Sequence, residues 1–80
     1  MKRQRGGDRM ATMQAVVFIG ERLRRLREQR ALRQEDLAKL AGVGKNTVNR
    51  LEKNHTEPHM TTIRKLAEAL DVAPSELVGD

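Results

Sequence analysis

The sequence contains no cysteine, tryptophan or tyrosine, and Phe18 is its one aromatic residue. Without cysteine, neither a disulfide framework nor a thiolate metal site can form. Proteins that bind single strands, and most sequence-specific RNA modules, stack bases on several aromatic side chains. If this chain binds a nucleic acid, the scarcity of aromatic residues therefore favours duplex DNA.

Long apolar runs and catalytic motifs are missing as well. No stretch of about 18 apolar residues is present, so we expect no membrane-spanning helix and a cytoplasmic protein. The sequence has no cysteine, no glycine-rich phosphate loop and no identifiable pair of buried carboxylates, so we expect neither enzymatic activity nor a cofactor. His55 and His59 are four residues apart, but they lie in a proline-containing loop without a third ligand, and we expect no metal site.

Basic residues dominate the first two thirds of the chain. The formal net charge is +5, and the sequence pI is about 10.5. Lys and Arg outnumber Asp and Glu in residues 1–10 and 19–53, whereas acidic residues prevail in residues 54–80. Such a gradient would orient the domain on a polyanion, although charges on solvated helix faces would look the same.

Hydrophobic periodicity predicts an all-α domain around one aliphatic core. A chain of 80 residues is long enough for one such small domain. The predicted helices cover residues 19–30, 34–41, 45–53, 60–70 and 73–78. The first of them has to end near Ala31 without a glycine. If Ala31 adopts a left-handed conformation there, the cost is about 1 kcal/mol relative to glycine.

The residues before the first helix are less well defined. We expect residues 1–12 to be a disordered basic arm and residues 13–80 to form the domain. The arm could contact phosphates or a minor groove, but an idle extension is the favoured interpretation. Residues 13–18 could lengthen the first helix, pair with a second subunit or cap the core with Phe18, and we favour the cap.

Residues 34–54 carry the strongest functional pattern. Two predicted helices flank a glycine-bearing corner at residues 41–44, as in a helix-turn-helix. The second helix hides Val48 and Leu51, and its other face carries Asn46, Asn49, Arg50 and Lys53. The carboxamide of an asparagine can pair with adenine N7 and N6, and the guanidinium of an arginine with guanine O6 and N7.

Residues 19–78 resemble the Cro/lambda-repressor family of helix-turn-helix domains. The resemblance rests on IGERLRRLRE, on LRQEDLAKLAGVGKNTVNRLEKN and on PHMTTIRKLAEALDVAPSEL. It implies a lambda-repressor-like fold of five helices, with the third helix in the major groove of double-stranded DNA.

The resemblance also implies roles for single residues. Those at positions that contact base edges are Lys45, Asn46, Asn49 and Arg50. The expected phosphate contacts are Gln34, Thr47 and Asn54, together with Arg33 beside Gln34 and Lys53 on the outer helix face. Arg27 and Glu52 match a structural salt bridge between the first and third helices.

Three helix starts depart from the family pattern. Arg33, Gly44 and His59 precede helices where relatives often place Ser or Thr, so we expect weak N-caps. We expect a homodimer through the fourth and fifth helices to compensate for the lost stability.

The leading functional prediction is a sequence-specific, double-stranded DNA-binding transcription regulator that acts as a dimeric repressor on a palindromic operator. An antitoxin or a restriction-modification controller with a possible partner protein is the first alternative. An interaction adaptor that does not bind DNA is the second.

Overall fold

The computed structural model describes residues 18–79, which form five α-helices. They are α1 (Gly20–Gln29), α2 (Gln34–Ala41), α3 (Lys45–Glu52), α4 (Met60–Leu70) and α5 (Pro74–Val78). The all-α prediction is confirmed, and α2 and α4 have the predicted bounds. The other three helices are shorter than predicted, because Ile19, Arg30, Lys53 and Ala73 occupy cap positions. The predictions for residues 1–12 and 13–17 lie outside the described residues.

The helices pack around α2 and α3. Helix α3 contacts both α1 and α2, α4 packs on α2, and α5 closes the domain against α1 and α4. No helix between residues 18 and 79 is long and apolar enough to cross a membrane.

The core is aliphatic, as the periodicity predicts. Twelve hydrophobic residues are buried, and no polar or charged residue of the described chain is buried as a whole. The buried residues are Ile19, Leu23, Leu37, Ala38, Ala41, Val48, Leu51, Ile63, Leu66, Ala67, Leu70 and Leu77.

Two apolar side chains lie outside this core. Phe18 is 53% exposed, so the prediction that it caps the core is wrong. Ile19, only 1% exposed, closes the core at that end, whereas its neighbour Phe18 lies in solvent. Leu40 has helical spacing with the buried residues of α2 but is 62% exposed, because Leu37 and Ala41 define the inward face.

Left-handed residues end several of the helices. Ala31 has a φ of 57° directly after the C-cap of α1, so it adopts the left-handed conformation that the sequence analysis left open. Its backbone N–H donates to the carbonyl of Glu28, and the N–H of Leu32 donates to the carbonyl of Arg27. Gly42 (φ 72°) and Asp71 (φ 60°) end α2 and α4 in the same conformation. These sharp ends allow eight- to eleven-residue helices to pack closely.

The helix starts have weak caps, as predicted. Arg33, Gly44 and His59 make no side-chain capping hydrogen bond. At α2 the carboxylate of Asp36 accepts a hydrogen bond from the backbone N–H of Arg33 at 2.9 Å. Because an arginine side chain has no acceptor, this bond supplies only the reciprocal half of a capping box.

Candidate nucleic-acid interface

Helix α3 separates an apolar face from a polar one. Val48 and Leu51 are 0% and 2% exposed, and they fix the helix on the core. The four side chains predicted to contact bases share the opposite face, with Asn49 half-buried and the other three exposed: Lys45, Asn46, Asn49 and Arg50. Together they offer amide donors and acceptors as well as cationic donors along one short helix.

A partly buried ion pair ties the end of α3 to α1. Nε of Arg27 lies 2.6 Å from Oε2 of Glu52, and Nη2 lies 3.0 Å from Oε1. The side chains are only 12% and 4% exposed, and Nη1 of Arg27 also donates to the carbonyl of Leu32 at 2.8 Å. The hydrogen bonds to Glu52 raise the pKa of Arg27. Removing one partner leaves the other charge uncompensated in a partly buried position, so we expect a cost below that of a fully buried pair, which is about 3–5 kcal/mol.

The same carboxylate holds Gln34, which was predicted to contact a phosphate. Nε2 of Gln34 donates to Oε1 of Glu52 at 3.0 Å, and Oε1 of Gln34 accepts from Nδ2 of Asn49 at 3.2 Å. The predicted phosphate contact and one predicted base contact are therefore joined directly. No local sequence pattern indicates this link, since the residues come from two helices and lie 15 and 18 positions apart.

Arg33, also predicted to contact a phosphate, is engaged by neighbouring acids. Its Nε and Nη2 donate to the two carboxylate oxygens of Asp36 at 3.0 and 3.1 Å, and Nη2 lies 3.6 Å from Oε2 of Glu35. The side-chain hydrogen bond raises the pKa of Arg33 and lowers that of Asp36. Because the Arg33 side chain is 74% exposed, these pairs contribute little and can open. The sequence carries a signal for this contact, because Asp36 is an acidic residue three positions after the N-cap residue Arg33.

Asn54, a further predicted phosphate contact, caps another helix. Its Oδ1 accepts a hydrogen bond from the backbone N–H of Gly20 at the start of α1. Among the remaining predicted phosphate contacts, Lys53 is exposed and Thr47 is half-buried.

The comparisons with known proteins identify the class of this domain. The family model described as helix-turn-helix matches residues 23–77. The chain belongs to this helix-turn-helix family, which confirms the resemblance. Its solved structural neighbours include lambda-repressor-like DNA-binding domains, so the fold class is confirmed as well.

Among curated proteins, the chain is 44% identical over 63 residues to the cryptic phage CTXphi transcriptional repressor RstR of Vibrio cholerae. It is 34% identical over 64 residues to repressor protein C2 of Salmonella phage P22. Both matches cover 79% of this chain. The chain spans only 57% of the length of the first relative and 30% of the second.

Two solved structures are similar along nearly their whole chains. The restriction-modification controller protein C.AhdI from Aeromonas hydrophila has a TM-score of 0.73 at 41% identity, covering 80% of this chain and 97% of that one. The P22 c2 repressor in complex with a synthetic operator has a TM-score of 0.71 at 34% identity, covering 79% and 97%.

Proposed function

We propose that this chain is a sequence-specific, double-stranded DNA-binding transcription regulator that acts as a dimeric repressor on a palindromic operator. Helix α3 enters the major groove and reads base edges with its exposed polar face. Since DNA is its partner, its place of action is the cytoplasm. The names of the similar proteins support the proposal, because RstR and P22 C2 are repressors and the P22 structure holds an operator.

The observation that carries this proposal is the set of amide and cationic side chains on the outer face of α3. Asparagine has poor helix propensity, yet Asn46 and Asn49 both lie in this eight-residue helix. A cation in the first turn, where Lys45 lies, opposes the helix dipole by about 0.3–1 kcal/mol. Contacts with base edges and phosphates would offset both of these costs when the domain binds DNA.

Phosphate contacts would fix the domain on the duplex. We assign them to residues that flank α3 or begin α2: Arg33, Gln34, Thr47, Lys53 and Asn54. Arg33 would exchange its exposed carboxylate partners for a phosphate, a small cost for a solvated pair. Gln34 and Asn54 each have amide hydrogens beyond those used in the fold, so each can bind a phosphate without losing its internal bond.

A homodimer through α4 and α5 would place two copies of α3 one turn of DNA apart, about 34 Å. An open surface groove follows these helices and is lined by residues that include Arg64, Glu68 and Asp71. Weak caps and short helices support the same arrangement, because a small domain gains stability by association. Sedimentation velocity with and without a duplex that carries two half-sites tests the dimer. Independent binding of one monomer to each half-site would contradict it.

Selection from a random duplex pool, followed by titration across salt concentrations, tests DNA binding. We expect a palindromic consensus, and an affinity that falls steeply as salt rises because counterions are released from the phosphates. A scrambled duplex of equal length is the control for sequence specificity. No binding even at low salt would refute the proposal and favour an adaptor.

A restriction-modification controller is the second candidate. The similarity to C.AhdI covers 97% of that protein's chain, whereas only 57% of RstR is covered. A controller could activate transcription by touching polymerase as well as repress it. A reporter assay with the selected operator placed upstream of, or over, a promoter separates the two: activation from the upstream site favours the controller.

A further inference from the structure

The surface groove along α4 and α5 has an apolar floor and lies apart from the helix-turn-helix. Its volume is about 730 Å³, and no residue of α2 or α3 lines it. The apolar part of the lining consists of Ala67, Val72, Ala73 and Pro74. Ala67 is buried, whereas Ala73 and Pro74 are exposed. The groove is therefore open to solvent along one side, as a site for an extended peptide segment would be.

The rim of this groove is acidic. Three exposed carboxylates and one exposed cation line it: Glu68, Asp71, Glu76 and Arg64. Within residues 18–79 none of these four side chains forms an ion pair. Asp71 is also the C-cap of α4, whose last turn carries no basic residue. Because the carboxyl end of a helix is the negative end of its dipole, this rim favours a cationic partner.

The basic arm, residues 1–12, has the chemistry that fits such a groove. It contains four cations against one acid, Asp8, and the cations are Lys2, Arg3, Arg5 and Arg9. Lysine and arginine can lay their aliphatic stems on an apolar surface while their charged ends reach carboxylates. The apolar floor and the acidic rim are therefore complementary to the two parts of these side chains.

The packing of α5 on α1 places the groove within reach of the arm. Glu76 lines the groove and also a smaller cleft beside Arg22, which lies in the first turn of α1. A Cβ at Gly79 would lie 2.7 Å from Nε of Arg22, so the end of α5 touches α1. The chain from Arg9 to Phe18, when extended, spans about 30 Å. The five residues of α5 extend over only about 7.5 Å, so the cations of the arm can reach the whole groove.

We propose that the basic arm binds in the α4–α5 groove of its own chain, with its cations on the carboxylates of Glu68 and Asp71. A single exposed ion pair is weak, but several pairs act together here, and the tether gives an effective concentration of about millimolar. The contact needs neither DNA nor a second copy, so it goes beyond the proposed function. In a dimer through α4 and α5, the bound arms would place cations between two acidic rims that otherwise repel each other.

Paramagnetic relaxation enhancement in the full chain tests this contact. Because the sequence has no cysteine, Gln4→Cys provides a single site for a nitroxide label among the cations of the arm. At about 0.1 M salt, we expect the oxidised label to weaken the backbone amide signals of Glu68 and Asp71 about twofold or more relative to the reduced label. At about 1 M salt the Debye length falls from about 10 Å to about 3 Å, so this weakening should largely disappear. The amide of Asn46 on α3, outside the groove, is the internal reference.

Two charge variants of the labelled chain distinguish the groove from a general attraction. Glu68→Gln combined with Asp71→Asn removes two rim charges, and asparagine tolerates the left-handed φ of 60° at position 71. Glu28→Gln combined with Glu57→Gln is the matched control, because both residues are exposed, lie outside the groove and give the same change in net charge. We expect the groove variant to lose the weakening at positions 68 and 71, and the control to retain it. The amide spectrum of each variant shows directly whether it is folded.

Unchanged signals of Glu68 and Asp71 in the labelled chain would overturn the proposal. Weakening that persists in the groove variant, or that disappears equally in the control, would also overturn it. A mixture of labelled chain with isotope-enriched chain that lacks the nitroxide identifies contacts between copies, and weakening in that mixture would exclude binding within one chain. Since no step uses DNA, failure of the chain to bind any duplex would refute the proposed function and leave this result unaffected.

Discussion

The backbone N–H of Gly20 donates a hydrogen bond of 3.0 Å to Oδ1 of Asn54, which lies 34 positions later in the chain. The first turn of α1 is thereby capped by the residue that follows the C-cap of α3. Helix α1 approaches so closely that a Cβ at Gly20 would lie within 3.0 Å of the backbone carbonyl oxygens of Leu51 and Glu52. This contact fixes the carboxyl end of α3 to the scaffold, while its outer face stays free.

We expect Gly20→Ala to destabilise the domain by about 1–3 kcal/mol. The added methyl group meets backbone atoms, which cannot move aside without shifting α1 from α3. Chemical denaturation followed by circular dichroism measures the change. Gly44→Ser is the control, because a Cβ there meets only Oγ1 of Thr47 at 3.6 Å and the serine can cap α3. That control should gain a few tenths of a kcal/mol, and a neutral Gly20→Ala would contradict the close approach.

Substitutions at Asn54 separate its cap from its proposed phosphate contact. Asn54→Gly keeps the positive φ of 58° but loses the hydrogen-bond acceptor for Gly20, so we expect a loss of about 1 kcal/mol in stability. Asn54→Asp keeps the acceptor and should retain most of the stability. Because an aspartate cannot donate to a phosphate, its affinity for DNA should fall for all sequences. An unchanged affinity in Asn54→Asp would limit Asn54 to the cap.

The sequence predicts what is periodic or local and misses what is not. Five helices follow from apolar spacing, and the left-handed Ala31 follows from a helix that must end without glycine. The match to a family supplies the Arg27–Glu52 pair. The contact of Gly20 with Asn54 and the bond of Asn49 to Gln34 depend on how helices meet, and they leave no trace in spacing. The Phe18 prediction fails for a related reason, because an apolar residue at the edge of a core can face either way, as the exposed Leu40 also does.

Ala31→Gly should stabilise the domain by about 0.5–1 kcal/mol. Alanine is strained at a φ of 57°, whereas glycine has no Cβ to crowd the backbone. Arg30→Gly is the matched control one residue earlier, where φ is −99° and no strain is present to relieve. Thermal and urea unfolding of both variants measure the difference. If both glycines destabilise equally, the left-handed conformation is absent in solution.

The Arg33–Asp36 pair predicts a small pH dependence at low pH. The hydrogen bond from Arg33 holds the pKa of Asp36 below its ordinary value of 3.8. A depressed carboxyl pKa contributes stability that is complete above the unfolded value and is lost as pH falls through the folded value. Carboxyl-carbon NMR titration measures this pKa, and Arg33→Ala should return it toward 3.8. A wild-type value at or above 3.8 would contradict the contact.

Arg50 and Lys53 are both exposed cations, but we expect their removal to affect DNA binding in different ways. Arg50 lies on the outer face of α3, where its guanidinium can fork onto guanine O6 and N7. We expect Arg50→Ala to cost about 1–3 kcal/mol in affinity for the selected operator and to relax the preference at one base pair. Lys53 is at the C-cap, and Lys53→Ala should weaken all sequences similarly and reduce the salt slope by about one. Titrations of operator variants across salt concentrations measure both effects. If Arg50→Ala leaves affinity and preference unchanged, α3 does not read bases through Arg50.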